Sequence, residues 1–181
     1  MVKTIFAVGI NGEFYNEKTG LLPWGAYPLG GDSQHFQDYT RDSVIVMGNN
    51  TWDSLPNKLK GRTHAVLSES GQVMGKGDKG VMPDIILKGS LDQVLPELQL
   101  TYLGKDIIVI GGLKLVEEAI KYSDEVSITN SVRGYGNCVH INRQQVLEDM
   151  YKNGFEVYSQ TTYYNESFHL GSNCGVRVWR K

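Results

Sequence analysis

The chain has 181 residues, of which 40% are hydrophobic and 21% charged, and its formal net charge is −2 at pH 7. This length and composition are typical of one globular domain, and the near-neutral charge argues against a nucleic-acid or anionic-membrane partner. Two cysteines far apart in the sequence argue against a disulfide framework, and no run approaches the roughly 20 apolar residues of a membrane span.

The N-terminal apolar run is too short for a signal peptide, so we expect a cytoplasmic protein. We also expect a monomer. The four histidines, His35, His64, His140 and His169, have no metal-ligand spacing, so no metal site is expected.

The first part of the chain alternates short apolar runs with helical patterns. Apolar runs that end in turn residues predict buried strands. In chain order, the predicted elements are a strand at 3–10, a loop at 11–24, a helix at 32–40, a strand at 43–48, a helix at 50–55 and a strand at 63–68.

The second part begins with a loop rich in glycine and lysine. The predicted elements are that loop at 69–80, a strand at 84–88, a helix from Ser90, a strand at 105–112, a helix at 113–122, a strand at 125–132, a helix near 143–152 and two alternating strands at 155–164 and 176–181. Ser90 and Gln93 have the spacing of a capping box, which favours a helix start at that point.

The order of these elements indicates the fold class. Alternation of strand and helix predicts an α/β fold with a mostly parallel central sheet and flanking helices. The last two strands would pair as a C-terminal antiparallel hairpin. No repeat or low-complexity linker interrupts the chain, so residues 1–181 are interpreted as a single domain.

Glycines mark two kinds of candidate phosphate site. GKGDKG (75–80) matches G-x-G-x-x-G, but a strand follows it instead of a helix, so we interpret it as a surface hairpin or loop. VIVMGNNTW (44–52) and IIVIGGLKL (107–115) both run strand, glycine, helix. Such junctions direct backbone N–H groups to the carboxyl edge of a parallel sheet, where two of them could bind the two ends of a dinucleotide.

An ordered set of motifs carries a resemblance to a known family. The set comprises AVGINGEF, LLPW, Asp32 with Phe36 and Thr40 at four-residue steps, VIVMGNNTWDSLP, LKGR, VLS, IIVIGG, SITNSV and a closing hairpin. In this order the chain resembles dihydrofolate reductase from end to end. The resemblance implies the dihydrofolate reductase fold and the NADPH-dependent reduction of 7,8-dihydrofolate to tetrahydrofolate.

Two alternatives stay open. One is a reductase of the same fold that acts on another heterocycle, such as a pyrimidine intermediate of riboflavin synthesis. The other is a ligand-binding or structural component with little turnover. Asp32, Phe36 and Arg62 together argue against the first alternative, and altered loops are the only hint of the second.

Asp32 is a single carboxylate between the aromatic Trp24 and an apolar helical face. The resemblance implies that its partner is the pterin, whose ring N–H and amino group it would accept in a bidentate pair. It would also promote protonation of pterin N5 through ordered water. The alternative interpretation is a helix N-cap without a ligand. The helix dipole favours the anion and apolar burial favours the neutral acid, so the direction of its pKa stays open.

The resemblance implies the remaining site residues one by one. Beside Asp32, the residues at the reacting centre would be Leu22, Trp24 and Thr129, the last as a hydrogen-bond partner of Asp32 or of a water. Substrate-binding residues would be Ile5, Ala7, Phe36, Leu55, Leu59, Ile110 and Arg62, which would hold the α-carboxylate of the glutamate tail. Cofactor contacts would come from Ala7, Gly48, Asn49, Thr51, Leu67, Ser68, Glu69, Lys88, Gly111, Gly112, Leu113 and Lys114, with a cis peptide bond between the two adjacent glycines.

The chain departs from the family pattern at several positions. Three additional residues separate Trp24 from Asp32, within AYPLGG (26–31), which predicts a reshaped pocket mouth. Asn49 stands where a basic phosphate contact is common, and Glu69 where a small hydroxyl residue is common, which predicts a weaker preference for NADPH. Two further replacements, Val116 for an aromatic residue and Asn137 for an acid, predict weaker loop closure and nicotinamide ordering.

Overall fold

A computed structural model describes residues 1–25, 29–164 and 173–181. The strands in this part of the chain are β1 (Val2–Val8), β2 (Glu13–Asn16), β3 (Val44–Gly48), β4 (Thr63–Leu67), β5 (Ile85–Leu87), β6 (Ile107–Gly111), β7 (Glu125–Ser131), β8 (Cys138–His140), β9 (Glu156–Tyr163) and β10 (Cys174–Arg180). The helices are α1 (Asp32–Tyr39), α2 (Asn49–Ser54), α3 (Leu91–Thr101), α4 (Leu113–Ala119) and α5 (Arg143–Lys152).

The chain forms two compact units, and the first comprises Met1–Thr4 and Thr40–Asp124. Its strands lie in the order β5-β4-β3-β6-β1, and all neighbouring pairs are parallel. The side chains of β3 and β6 are almost entirely buried, as expected for parallel strands covered on both faces. The predicted parallel sheet is therefore confirmed.

The second unit comprises Ile5–Tyr39 and Glu125–Lys181. The last four residues of β1 belong to it, and the strand order continues from β1 through β7 and β10 to β9. β10 pairs antiparallel with both β7 and β9, which confirms the predicted C-terminal hairpin. Successive side chains alternate between faces, so Ser127, Thr129 and Ser131 of β7 share one face of this sheet.

Two short strands correct the sequence analysis. β2 lies inside residues 11–24, which were predicted to be a loop, and the prediction is wrong there. β2 pairs antiparallel with β8, which the sequence analysis did not predict. Each strand pairs with residues more than a hundred positions away in the sequence. Because this pairing defines the strands, no local pattern in the sequence identifies them. Part of the inserted segment, residues 26–28, lies outside the described residues.

Two local predictions are confirmed. α3 begins after Ser90, whose backbone N–H donates to Gln93 Oε1 at 3.4 Å, one half of the predicted capping box. The G-x-G-x-x-G segment forms a surface turn in which Lys76 pairs with Val81, and β5 follows it instead of a helix. Gly77 and Gly80 adopt positive φ angles of 63° and 60°, so the motif's glycines serve the turn.

In the part of the chain that the structure describes, no helix has the length and apolar character needed to cross a bilayer. Among the same residues, no cluster of three or more His, Cys, Asp or Glu side chains is arranged to hold a metal ion.

Candidate active site

Asp32 is the first residue of α1, in the second unit. A turn precedes it, because the Asp32 N–H donates to the Leu29 carbonyl at 3.2 Å and the His35 N–H donates to the Gly31 carbonyl at 2.9 Å. The side chain keeps some exposure to solvent, although protein atoms surround most of its carboxyl group. The predicted helix start at Asp32 is therefore confirmed, and it leaves the carboxylate at a partly covered position.

The surroundings of Asp32 settle the direction of its pKa. Burial raises the pKa of the carboxyl above its ordinary value, although the Thr129 hydroxyl and the nearby His35 lower it. Thr129 is 1% exposed, and its hydroxyl has no hydrogen bond of acceptable geometry among the described residues. A buried hydroxyl without such a bond is suited to a water or a ligand as its partner.

A small apolar cluster surrounds Trp24. Trp24 packs with Leu29 and Cys174, and its ring meets the ring of Tyr135 edge-on with centroids 5.8 Å apart. The Cys174 thiol donates to the Gly30 carbonyl at 3.2 Å. Burial and the Asp32 carboxylate raise the pKa of this thiol to about 12, so it stays protonated at neutral pH. The cluster thus supports the turn that leads into α1.

Other second-unit residues implied by the resemblance differ in burial. Ile5 is buried, Ala7 packs against the Trp24 cluster, and Phe36 is partly exposed on α1. Leu22 is 47% exposed, so the described residues leave much of its side chain uncovered.

Glu13 is a buried carboxylate that the sequence analysis did not single out. It is 1% exposed, and it accepts hydrogen bonds from the backbone N–H groups of Asn11 at 2.9 Å and Tyr135 at 3.0 Å. Burial alone would raise the pKa of Glu13, but these hydrogen bonds outweigh it and lower the pKa. The carboxylate therefore ties residues 9–13 to the segment that holds Tyr135, the ring partner of Trp24.

In the first unit, two glycine junctions lie at the carboxyl ends of adjacent strands. β3 ends at Gly48 and β6 at Gly111, and α2 and α4 follow with Gly48 and Gly112 as their N-caps. The Gly111–Gly112 peptide bond is cis, as the resemblance implies. A Cβ added at Gly111 would lie 2.7 Å from Thr51 Oγ1, so a side chain there would collide with Thr51 and the glycine permits close packing. Two strand–glycine–helix junctions at one edge of a parallel sheet fit a dinucleotide.

The polar residues near these junctions form an internal network. Asn49 Nδ2 donates to Ser68 Oγ at 3.0 Å, and Ser68 Oγ donates to the Gln72 carbonyl at 2.8 Å. Ser68 is 1% exposed, so its hydroxyl serves this network. Glu69, Lys88 and Lys114 are exposed, and Leu67 and Leu113 are partly buried.

The remaining substrate residues implied by the resemblance also lie in the first unit. Leu55, Leu59 and Ile110 are partly buried and pack against one core cluster, which consists of Ile45, Met47, Trp52 and Val66. Arg62 is partly buried, and its Nε donates to Thr40 Oγ1 at 3.2 Å. The structure thus shows that Leu55, Leu59 and Ile110 pack against the same core, which could not be deduced from their positions in the sequence.

Comparisons with known proteins agree with this architecture. A family model described as dihydrofolate reductase matches residues 1–165. Dihydrofolate reductase of Mycobacterium tuberculosis is 33% identical over 132 residues, which cover 71% of this chain and 70% of that protein. Dihydrofolate reductase type 8 of Escherichia coli is 28% identical over 148 residues, covering 81% and 85% of the two chains. A solved dihydrofolate reductase from Enterococcus faecalis, complexed with NADP(H) and RAB-propyl, has a TM-score of 0.75 at 19% identity, with 99% of this chain and 95% of that chain covered.

Proposed function

Because the chain belongs to the dihydrofolate reductase family and catalyses the NADPH-dependent reduction of 7,8-dihydrofolate to tetrahydrofolate, we propose that Asp32 orients the pterin ring and promotes its protonation. The observation that carries the proposal is the partly covered Asp32 carboxyl beside the unpartnered, buried hydroxyl of Thr129. The Thr129 hydroxyl needs a hydrogen-bonding partner, and burial increases the free-energy cost of leaving a hydroxyl or a carboxylate unpaired.

A pterin offers two adjacent hydrogen-bond donors to Asp32. Its ring N–H and exocyclic amino group lie side by side, so one carboxylate can accept both in a charge-assisted pair. Donors of this kind favour the anion and oppose the burial that raises the pKa of Asp32. Thr129 then binds a water or the amino group beside Asp32, and that water relays the proton towards pterin N5.

The apolar residues and Arg62 would bind the rest of the substrate. Phe36 covers the pterin and the aryl ring, and Trp24 bounds the reacting end. Arg62 holds the α-carboxylate of the glutamate tail as a planar fork. The other proposed substrate residues are Ile5, Ala7, Leu22, Leu55, Leu59 and Ile110.

NADPH, when bound, supplies the hydride. Gly48, Gly111 and Gly112 would let the backbone approach the cofactor closely, with Thr51 beside them. The other proposed cofactor contacts are Ala7, Asn49, Leu67, Ser68, Glu69, Lys88, Leu113 and Lys114. We also propose that the enzyme is a cytoplasmic monomer formed as one domain, which size-exclusion chromatography with light scattering and cell fractionation would test.

Replacing Asp32 tests its role. We expect Asp32→Asn to lower kcat/KM for dihydrofolate at pH 7 by about 10²- to 10⁴-fold, the usual range for a lost acid–base group. An amide cannot act as an anionic acceptor, and it presents a donor to the donating pterin. Steady-state oxidation of NADPH is the measurement.

The matched control for this test is Asp38→Asn, which removes an exposed carboxylate from the same helix and should keep near-native kinetics. Near-native turnover of Asp32→Asn at pH 7 would refute the proposed role.

A further inference from the structure

Leu59 to Arg62 form a tight turn that leads into β4. The Arg62 N–H donates to the Leu59 carbonyl at 3.3 Å, and Gly61, the third residue, has a φ of +76°. This pattern is that of a β-turn whose third position requires a positive φ, which glycine adopts without steric cost. The turn therefore fixes the backbone position of Arg62, from which its side chain extends.

His64 closes this turn from both ends. Its Nε2 accepts from the Leu59 N–H at 2.9 Å, and its Nδ1 lies 3.2 Å from the Arg62 carbonyl. An acceptor at Nε2 and a carbonyl beside Nδ1 define the neutral tautomer with the proton on Nδ1. One imidazole thus bonds the first and the last residue of the turn.

The surroundings of His64 fix the ring in this orientation. The side chain is fully buried, and its ring meets Trp52 edge-on with centroids 6.0 Å apart. The backbone N–H of His64 donates to Asp84 Oδ2 at 2.7 Å, the ring Nδ1 lies 3.6 Å from the same oxygen, and Asp84 also pairs with Lys58 at 2.6 Å. Burial, with the Lys58 charge, lowers the pKa of His64 and outweighs Asp84, which keeps the imidazole neutral.

Arg62 is held by the same turn. Its Nη1 donates to the Lys60 carbonyl at 2.7 Å, and its Nε donates to Thr40 Oγ1 at 3.2 Å. The guanidinium orientation therefore depends on the position of the Lys60 carbonyl in the middle of the turn. A shift of the turn would move both the backbone of Arg62 and the Lys60 carbonyl, which accepts a hydrogen bond from its guanidinium.

We propose that His64 is a positioning residue for substrate binding, which holds the turn Leu59–Arg62 so that Arg62 presents its guanidinium to the glutamate carboxylate. The inference rests on the proposed contact between Arg62 and the substrate tail. It assigns no contact with substrate to His64 itself. Leu59 is itself a proposed substrate residue, so the effect is expected to be much larger for substrates that bear the tail than for those that lack it.

A pair of substrates isolates this effect. 7,8-Dihydrofolate carries the glutamate, and 7,8-dihydropteroate has the same rings without it. For His64→Phe, which keeps a ring but removes both hydrogen bonds, we expect KM for dihydrofolate to rise about tenfold with kcat little changed, because the lost interaction contributes equally to ground and transition states. KM for dihydropteroate should stay within about twofold of the wild-type value.

Three further variants make every outcome informative. His64→Gln retains an acceptor for the Leu59 N–H, so its KM for dihydrofolate should rise only about threefold, and it serves as the test if His64→Phe does not fold. Leu98→Ala removes a buried side chain of α3 and controls for lost stability. Arg62→Gln should raise KM for dihydrofolate alone.

The results separate the two claims. If Arg62→Gln changes KM equally for both substrates, or for neither, the proposed tail contact fails. If Arg62→Gln raises KM for dihydrofolate alone but the folded His64 variants do not, or if Leu98→Ala raises it equally, the inference about His64 is wrong.

Discussion

Asp32 destabilises the ligand-free protein at neutral pH. Burial raises its folded pKa above the ordinary value of 3.8, so the folded protein binds this proton more tightly than the unfolded chain. The free energy of unfolding therefore falls as pH rises from 3.8 through the folded pKa, and it stays lowered above that value.

Asp32→Asn should consequently stabilise the protein while it impairs catalysis. We expect the Tm at pH 7 to rise, by about 2–4 °C for each 1 kcal/mol of stability gained in a chain of this size. The gain should disappear as the pH falls towards 3.8, where the wild-type carboxyl is protonated. Thermal unfolding followed by circular dichroism at several pH values is the measurement, and a gain that persists under acid conditions would contradict this account.

The residues near the two glycine junctions, where we propose that the cofactor binds, predict a modest preference for NADPH over NADH. Asn49 bonds to Ser68 and carries no charge, and the exposed Glu69 would repel a 2′-phosphate, whereas Lys114 would attract it. The ratio of kcat/KM values should stay below about a thousandfold, ~4 kcal/mol. It should shrink as salt rises, because exposed charges are screened over ~8 Å at physiological ionic strength.

Glu69→Gln tests the cofactor preference directly, since removal of the repulsion should increase the ratio. The exposed Glu117→Gln on α4 provides a charge-matched control. A ratio above a thousandfold that is insensitive to salt would show that other cations select the phosphate.

Sequence reasoning located residues whose place in the fold follows from a local motif, and it missed contacts that depend on partners distant in the sequence. Asp32 was predicted at a helix start, where the structure places it. Glu13 and Tyr135 are 122 positions apart, so no local pattern indicated their hydrogen bond. His64 was considered only as a metal ligand, although a histidine inside the strand-forming run THAVLS is a signal for a buried hydrogen-bonding role.

The turn at 75–80 stabilises α2. The Lys76 ammonium donates to the carbonyls of Trp52 and Leu55 at the end of this helix and lies 4.4 Å from the centre of the Trp52 ring. Burial lowers the pKa of Lys76. A cation at a helix C-terminus interacts favourably with the last carbonyls and with the helix dipole, and here it adds to the bond that the Trp52 carbonyl accepts from the Leu55 N–H at 3.2 Å.

Lys76→Met should therefore lower the free energy of unfolding by about 1.5–3 kcal/mol, the range for charge-assisted hydrogen bonds. Lys79→Met removes an exposed lysine from the same turn and should change stability by less than about 0.5 kcal/mol. Urea unfolding at pH 7 measures both variants, and equal losses would argue against the capping role.

Element type was predictable wherever periodicity or turn chemistry was strong. The apolar runs that became β3 and β6 are covered on both faces, and such runs stand out in sequence. β2 and β8 have four and three residues, and only their mutual pairing defines them. Strands this short depend on tertiary context, which a single sequence does not display.

NADPH binding should stabilise the whole protein. A ligand that binds only the folded state at a hundred times its Kd adds about 2.7 kcal/mol, which raises the Tm of a chain of this size by about 5–11 °C. Asp32→Asn should show the same rise, because Asp32 is a proposed substrate residue. Differential scanning fluorimetry with and without NADPH is the measurement, and no rise at saturating cofactor would exclude binding to the folded state.

β1 is divided between the two units, and this division has a consequence for protein synthesis. Val2–Thr4 pair with β6, which begins at Ile107, so β1 is synthesised long before the strand with which these residues pair. Every residue of the first unit exists once Asp124 has been added, whereas the second unit still lacks the 57 residues from 125 to 181. At 5–20 residues per second, translation delays the second unit by roughly 3–11 s. A ribosome stalled after residue 124 would thus hold a chain with all of one unit and less than half of the other.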